Sequence, residues 1–305
     1  MQFNNGILDV AEQVNLKHQG QPYTPRMICM HYTVTDTVKA AINALNSRKL
    51  AYHFLVDHDG SITQTRKPDV HAPHAGNSNW KVQNGLDNRA SINRSAVSIS
   101  FINRGFFARV SGDVAFDVNS HGDPVGKMYP KSEVTRTGSI YHPTGLRNWH
   151  NYTAAQVAAA QELILALQEA HPTITDLVGH DDVSIDGKFD TGPLWPMQQV
   201  RDDTGLAGDL GFATTVDSPD GELNMRQRPT GNSKKLATLR QGDRVHIRSV
   251  VYGGPGKAIR VDRKRSRYLT RWASIDVDGS NTHAGFVHMK FLADTPLTQD
   301  FQNRL

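Results

Sequence analysis

Four apolar residues in a row at 27–30, inside the run RMICMH of 26–31, predict a short buried strand. Thr35 and Asp36 then look like a helix start, with Val38, Ala41, Ile42 and Leu45 at helical spacing. Residues 52–56, the pair Asp59-Gly60 and residues 61–64 read as strand, turn, strand. Val97, Ile99 and Phe101 alternate with Ser98 and Ser100, the pattern of a half-buried strand. Residues 105–150 are rich in Gly, Pro, Asn and Ser and predict a long surface excursion, of the kind that forms lids or groove walls. The clearest helix is 153–171, TAAQVAAAQELILALQEAH, with Thr153 as N-cap and Pro172 beyond its end. Leu177 and Val178 predict one more short strand before His180.

Strands alternating with helices argue for an α/β domain over residues 1–200. Residues 201–214 read as a linker, and the pattern then changes. Short strand candidates at 223–226, 237–239, 244–247, 271–273 and 285–287 are separated by turn residues, with no helical periodicity between them. That predicts a small all-β barrel over 215–305. The chain has no internal repeat.

The composition suits a water-soluble protein, with 38% hydrophobic and 21% charged residues. No apolar run approaches the roughly 18 residues of a membrane span. The start, MQFNNGILDVAEQVNLKHQG, lacks a basic stretch followed by an apolar one, so no secretory signal is expected. Cys29 is the single cysteine, which excludes an intramolecular disulfide framework and a cysteine-rich zinc site. The net charge of +4 is uneven. Residues 220–290 hold 15 Lys or Arg against 6 Asp or Glu, leaving the remainder at −5. A basic module joined to a near-neutral one suggests docking on a polyanion, such as cell wall, anionic lipid or nucleic acid.

Chemistry concentrates in two segments. One is His31 with its neighbours Tyr32 and Thr33. The other carries His180, Lys188 and Asp190. Both histidines follow predicted strands, and ligand sites in open α/β sheets gather at the carboxyl ends of strands. Two imidazoles and a carboxylate suit Zn²⁺ and leave a position open for water. Lys188 places a cation where negative charge would develop, which outlines a metal-assisted hydrolase.

Four motifs sharpen this outline. They are His31-Tyr32-Thr33, then Ala51-Tyr52-His53-Phe54 ahead of Asp59-Gly60, then His74-Ala75-Gly76 ahead of Trp80, and the run GHDDVSIDGKFDTGP at 179–193. Together, over roughly residues 20–200, they resemble the zinc-dependent N-acetylmuramoyl-L-alanine amidases. That group shares its fold with T7-type phage lysozymes and peptidoglycan recognition proteins. The resemblance implies a mixed central β-sheet flanked by helices. It implies His31, His180 and Asp190 as zinc ligands, and Lys188 facing the tetrahedral intermediate. It also implies Tyr52 near the metal and His74 at the substrate groove. Ser100 stands where many members carry a glutamate that serves as general base, and is placed with His74 on the substrate-binding side. A serine cannot accept a proton at neutral pH as a carboxylate does.

The implied reaction is hydrolysis of the amide between N-acetylmuramic acid and the L-alanine of the stem peptide, by zinc-activated water. Residues 215–295 resemble a bacterial SH3-like domain of cell-wall hydrolases, carried by Leu223-Asn224-Met225-Arg226 and by Gly285-Phe286-Val287. Its implied job is to hold the enzyme on the wall. The basic stretch 260–267 reads as a solvated loop, and Trp272 and Phe286 as core. The partner is then peptidoglycan, with no nucleic acid and no membrane span. A cytoplasmic protein without a signal peptide would reach the wall at lysis or by specialised secretion; a contact-delivered antibacterial effector would also need an immunity protein. The rival reading is a non-catalytic peptidoglycan-binding receptor, with Ser100 on its side.

Overall fold

A computed structural model describes the 305-residue chain apart from residues 18–19, 79, 81–90, 140–141, 185–187, 207–211, 228–229, 263–264, 277–283 and 294–305. The chain divides into two compact units, 1–139 with 145–207 and 140–144 with 208–305.

The first unit opens on a hairpin of β1 (Phe3–Asn4) and β2 (Ile7–Leu8). A six-stranded sheet follows, built from β3 (Glu12–Gln13), β4 (Met27–Tyr32), β5 (Phe54–Val56), β6 (Ile62–Gln64) and β7 (Ala96–Phe101), with a sixth strand, described below, joining late in the chain. Helix α1 (Val38–Arg48) lies between β4 and β5. Its cap is Thr37, whose hydroxyl accepts from Ala40 N at 3.1 Å, two residues past the predicted start. Beyond β7 come β8 (Phe106–Phe107), β9 (Arg109–Ser111), β10 (Val114–Val118), β11 (Pro124–Pro130), β12 (Val134–Ser139) and β13 (His142–His150). Helix α2 (Ala154–Ala170), β14 (Asp176–Gly179), α3 (His180–Val183) and α4 (Met197–Thr204) complete the unit.

The sheet order is β14-β4-β7-β5-β6-β3. The four strands β14, β4, β7 and β5 run parallel, while β6 is antiparallel to β5. Side-chain alternation then assigns the faces. Ile28, Met30, Phe54, Val56, Val97, Ile99 and Phe101 share one core cluster with Leu163, Ile164 and Leu167 of α2 and Val200 of α4. Leu55 meets Ala41 of α1 and Ile102 on the opposite side. Helices therefore cover both faces, as parallel strands require. This corrects the half-buried expectation for 97–101. All six residues of β7 are buried, and the intervening serines point into the α1 side of the domain rather than into water.

The predicted surface excursion at 105–150 is also corrected. It folds into two three-stranded sheets, β11-β10-β9 and β12-β13-β8, with Phe107, Ala115 and Tyr129 as a small core. Two of the glycines that suggested a loop are turn punctuation, and Gly126 lies within β11. Gly112 and Gly122, at φ +58° and +90°, sit between paired strands in the left-handed region that suits glycine.

Helix α2 forms where predicted. Thr153 Oγ1 accepts from Gln156 N at 3.0 Å and Gln156 Oε1 accepts from Thr153 N at 3.2 Å, a reciprocal cap.

The second unit is an antiparallel sheet of β15 (Phe212–Thr215), β16 (Glu222–Arg226), β17 (Lys235–Arg240), β18 (Arg244–Asp262), β19 (Arg265–Asp276) and β20 (Ala284–His288), in the order β15-β18-β19-β20-β16-β17. Its core includes Leu223, Met225, Leu239, Val245, Ile247, Ile275 and Val287. Trp272 and Phe286 are buried against each other. The strand candidates at 244–247 and 271–273 are parts of a much longer hairpin. The Gly/Pro run after Tyr252 shifts the register between Gly253 and Ala258 instead of ending the strand. Most of the stretch 260–267 thus belongs to strands rather than to a loop; residues 263–264 lie outside the described residues, as do 207–211 of the predicted linker.

Candidate metal site

The strand register explains how distant residues meet. On β4, Met30 faces the α2 core, so His31 faces the other side. Neighbouring β14 pairs Gly179 with Met30, and His180, the next residue, arrives beside His31. On the other flank β7 pairs Ser100 with His31, and β5 pairs Leu55 with Ser100. One transverse row thus reads His180, His31, Ser100, Leu55.

Asp190 returns to this row from the following loop. Asp181 N donates to Asp190 O at 2.6 Å, and Gly192 N donates to Asp181 Oδ2 at 3.1 Å, so the loop is pinned on both sides of Asp190. Asp182 braces the turn from behind, accepting from Gly179 N at 2.8 Å and from Arg201 Nη2 at 3.1 Å. A side chain at Gly179 would meet Asp181 Oδ1 at 2.2 Å, which explains glycine there.

The result is a buried cluster. His31 Nδ1 lies 2.8 Å from Asp190 Oδ2, and His180 Nδ1 lies 3.0 and 3.1 Å from its two oxygens. One donor atom each from His31, His180 and Asp190 fall within 4.8 Å of one another. Burial lowers the His31 pKa to about 4, with His180 adding to the effect and Asp190 opposing it. Burial alone would raise the Asp190 pKa, but the two histidines outweigh it and hold the carboxyl far below its usual range.

Proton placement tests whether a cation fits. His180 Nε2 lies 3.2 Å from the carbonyl of Ala75, which can only accept, so a neutral ring that donates there carries its proton on Nε2. In the neutral ring Nδ1 is then a bare lone pair aimed at an ionised carboxylate. Acceptors gathered this way call for a positive charge between them. The spacings also approach the roughly 3.3–3.5 Å edge of a tetrahedron with bonds of about 2.0–2.2 Å. Two imidazoles and a carboxylate are a donor set that suits zinc.

The other predicted residues fall around this cluster. The Tyr52 ring is 4.9 Å from that of His31, centroid to centroid. Burial, then Asp190, push its phenol pKa up, and Ser100 pulls weakly the other way. Ser100 Oγ is buried and, beyond this weak interaction with Tyr52, makes no well-formed hydrogen bond among the described residues. His74 is 7% exposed, its Nδ1 2.9 Å from His31 Nε2. Lys188 is exposed, two positions before Asp190, with its backbone N on Ser184 Oγ at 3.2 Å; residues 185–187 before it lie outside the described residues.

Two neighbours were not singled out from the sequence. Cys29 is buried and forms a second candidate ligand group with His31 and His74. Its place two residues before His31 on the same strand was the available signal. His53, buried in the AYHF motif, is structural. Its Nδ1 accepts from Ser98 N at 2.9 Å and its Nε2 donates to Val70 O at 2.9 Å, so it ties the segment before β5 to β7.

A sheet row presenting two histidines and a carboxylate in an α/β domain defines a candidate metal-binding enzyme domain. The model of the N-acetylmuramoyl-L-alanine amidase family matches residues 20–193, more than half of the chain. The protein belongs to that family. No curated protein matches the chain. Among solved structures it is similar to a selenomethionine derivative of AmpD, at 17% identity over 67% of this chain and 99% of that one, TM-score 0.43. It is similar to AmpDH3 from Pseudomonas aeruginosa in complex with an anhydromuramic pentapeptide, at 18% identity over 66% of this chain and 65% of that one, TM-score 0.41. It is also similar to the amidase AmiD from E. coli with an anhydro-N-acetylmuramic acid peptide, at 20% identity over 67% of this chain and 65% of that one, TM-score 0.41. The chain therefore spans less than two thirds of the latter two proteins. Among the described residues no helix is long and apolar enough to cross a membrane.

Proposed function

We infer that this protein is a zinc-dependent amidase that cleaves the bond between N-acetylmuramic acid and L-alanine in peptidoglycan. One observation carries the reading. Within the segment that matches the family, His31, His180 and Asp190 converge as a buried set, with one donor atom from each within 4.8 Å of the others.

These three residues would hold the ion. Bound zinc supplies an acidified water near pKa 7 and polarises a carbonyl. The remaining work belongs to side chains. Tyr52 keeps its proton, because burial raises its pKa, so its hydroxyl acts as a donor to the developing oxyanion or to the leaving amine rather than as a base. Lys188 offers its ammonium from the exposed loop beside Asp190 and stabilises the same negative charge. Ser100 cannot take a proton at neutral pH, so it shapes the groove and leaves the general-base role of other members unfilled at its position. The second unit is a wall-binding module of SH3-like type whose basic surface favours anionic wall polymers.

Replacing His180 tests the reading. His180→Ala is expected to lose both bound zinc and muropeptide cleavage. A metal-free H180A protein that cleaves at the wild-type rate would contradict it.

A further inference from the structure

His31 and His180 differ in what their outer ring nitrogens meet. His180 Nε2 meets the Ala75 carbonyl at 3.2 Å, which can only accept. His31 Nε2 meets His74 Nδ1 at 2.9 Å, and an imidazole nitrogen can give or take a proton. The tautomer of His31 is therefore settled only when that of His74 is. The geometry points to His74 as the positioning residue that sets the tautomer of His31 and so lets His31 offer Nδ1 to a metal ion. This inference rests on the metal reading above and deepens it.

Three observations support it. The His74 ring stands at 84° to that of His31, with centroids 4.9 Å apart, and only 7% of the residue is exposed. Its backbone is clamped, since Asn93 Oδ1 accepts from His74 N at 3.0 Å and from Ala75 N at 2.8 Å. The adjacent pair His74-Ala75 thus supports both histidine ligands, one through a side chain and the other through the main chain. Ligating histidines commonly donate their second N–H to such an outer partner, which fixes the ring and raises its basicity.

Protons balance in both states. Without a cation, His31 Nδ1–H donates to Asp190 and His74 Nδ1–H donates to His31 Nε2. With a cation at His31 Nδ1, the His31 proton sits on Nε2 and His74 Nδ1 accepts it. The His74 proton then sits on its own Nε2, a buried atom that makes no well-formed hydrogen bond among the described residues, although the Ala96 backbone lies near the ring. Each ring keeps one proton throughout, and both tautomers change together.

The test uses the full chain, zinc titrated against a chromophoric chelator, and a soluble muropeptide. His74→Ala is expected to weaken zinc affinity by about 10–100-fold. His74→Gln, whose amide oxygen can accept from His31 Nε2–H, is expected to recover most of the loss. Long-range ¹⁵N–¹H spectra of zinc-loaded wild type should give His31 as the Nε2–H tautomer, a result independent of whether H74A folds. Wild-type zinc affinity in H74A with a raised KM would make His74 a groove residue and overturn the inference, while leaving the amidase intact. An Nδ1–H tautomer at His31 in the zinc-loaded protein would overturn it as well. Wild type that binds no zinc would sink the metal reading itself, and this inference with it.

Discussion

Ser100 lies one strand from His31 in register, so a carboxylate there would face the transverse row directly. The hydroxyl in its place cannot accept a proton at neutral pH as a carboxylate does. Tyr52 stays protonated and can only donate. Electrostatic stabilisation by Lys188 should therefore weigh heavily. Lys188→Ala is expected to lower turnover on soluble muropeptide by about 10²-fold or more, as for loss of one oxyanion donor, with zinc content unchanged. Undiminished turnover would remove Lys188 from the mechanism. The histidines at 31 and 180 were legible because each follows an apolar run short enough to be a strand. The Ala75 carbonyl was not, since a main-chain acceptor has no side-chain signature. Cys29 was half legible: strand alternation puts it on the face of His31, but only the folded 74–75 segment brings His74 beside it.

Helix α2 shows how one residue can couple elements. Gln156 caps the helix through Oε1, while its Nε2 donates to Val56 O at 3.3 Å and Ile102 O at 3.1 Å. Val56 ends β5 and Ile102 follows β7, at the end of the sheet nearest the row. Gln156→Leu is expected to take this donor from the Ile102 carbonyl, while Val56 O keeps Ile102 N at 2.9 Å, and to cost about 1–3 kcal/mol, seen as a lower midpoint in urea at unchanged slope. An unshifted midpoint would mean that water satisfies the Ile102 carbonyl. The helix itself was readable from Thr153, its apolar spacing and Pro172. The strands at 105–150 were not, because short hairpins separated by glycine share the composition of loops. The burial of β7 was also hidden: Ser98 and Ser100 mimic a solvent-facing pattern, yet Ser98 Oγ lies 2.9 Å from His53 Nδ1 inside the fold.

Across the whole molecule, charge is segregated. Residues 220–290 carry 15 basic against 6 acidic side chains, in a chain whose net charge is only +4. Attraction of such a module to anionic wall polymers is screened over about 10 Å at 0.1 M salt and about 3 Å at 1 M. Co-sedimentation of the full chain with purified walls is expected to fall steeply over that range; salt-insensitive binding would contradict electrostatic docking. The change of pattern after residue 200 marked a second unit from sequence alone. Its long hairpin did not show, because a register shift at Gly253 looks like a strand end. The central claim concerns the bond cut and the metal that cutting requires. Mass spectrometry of peptidoglycan digests, with and without a zinc chelator, tests both at once. Free stem peptides beginning at L-alanine are expected, absent under chelation and restored by added zinc. Binding without release of such peptides, or release indifferent to chelation, would contradict it.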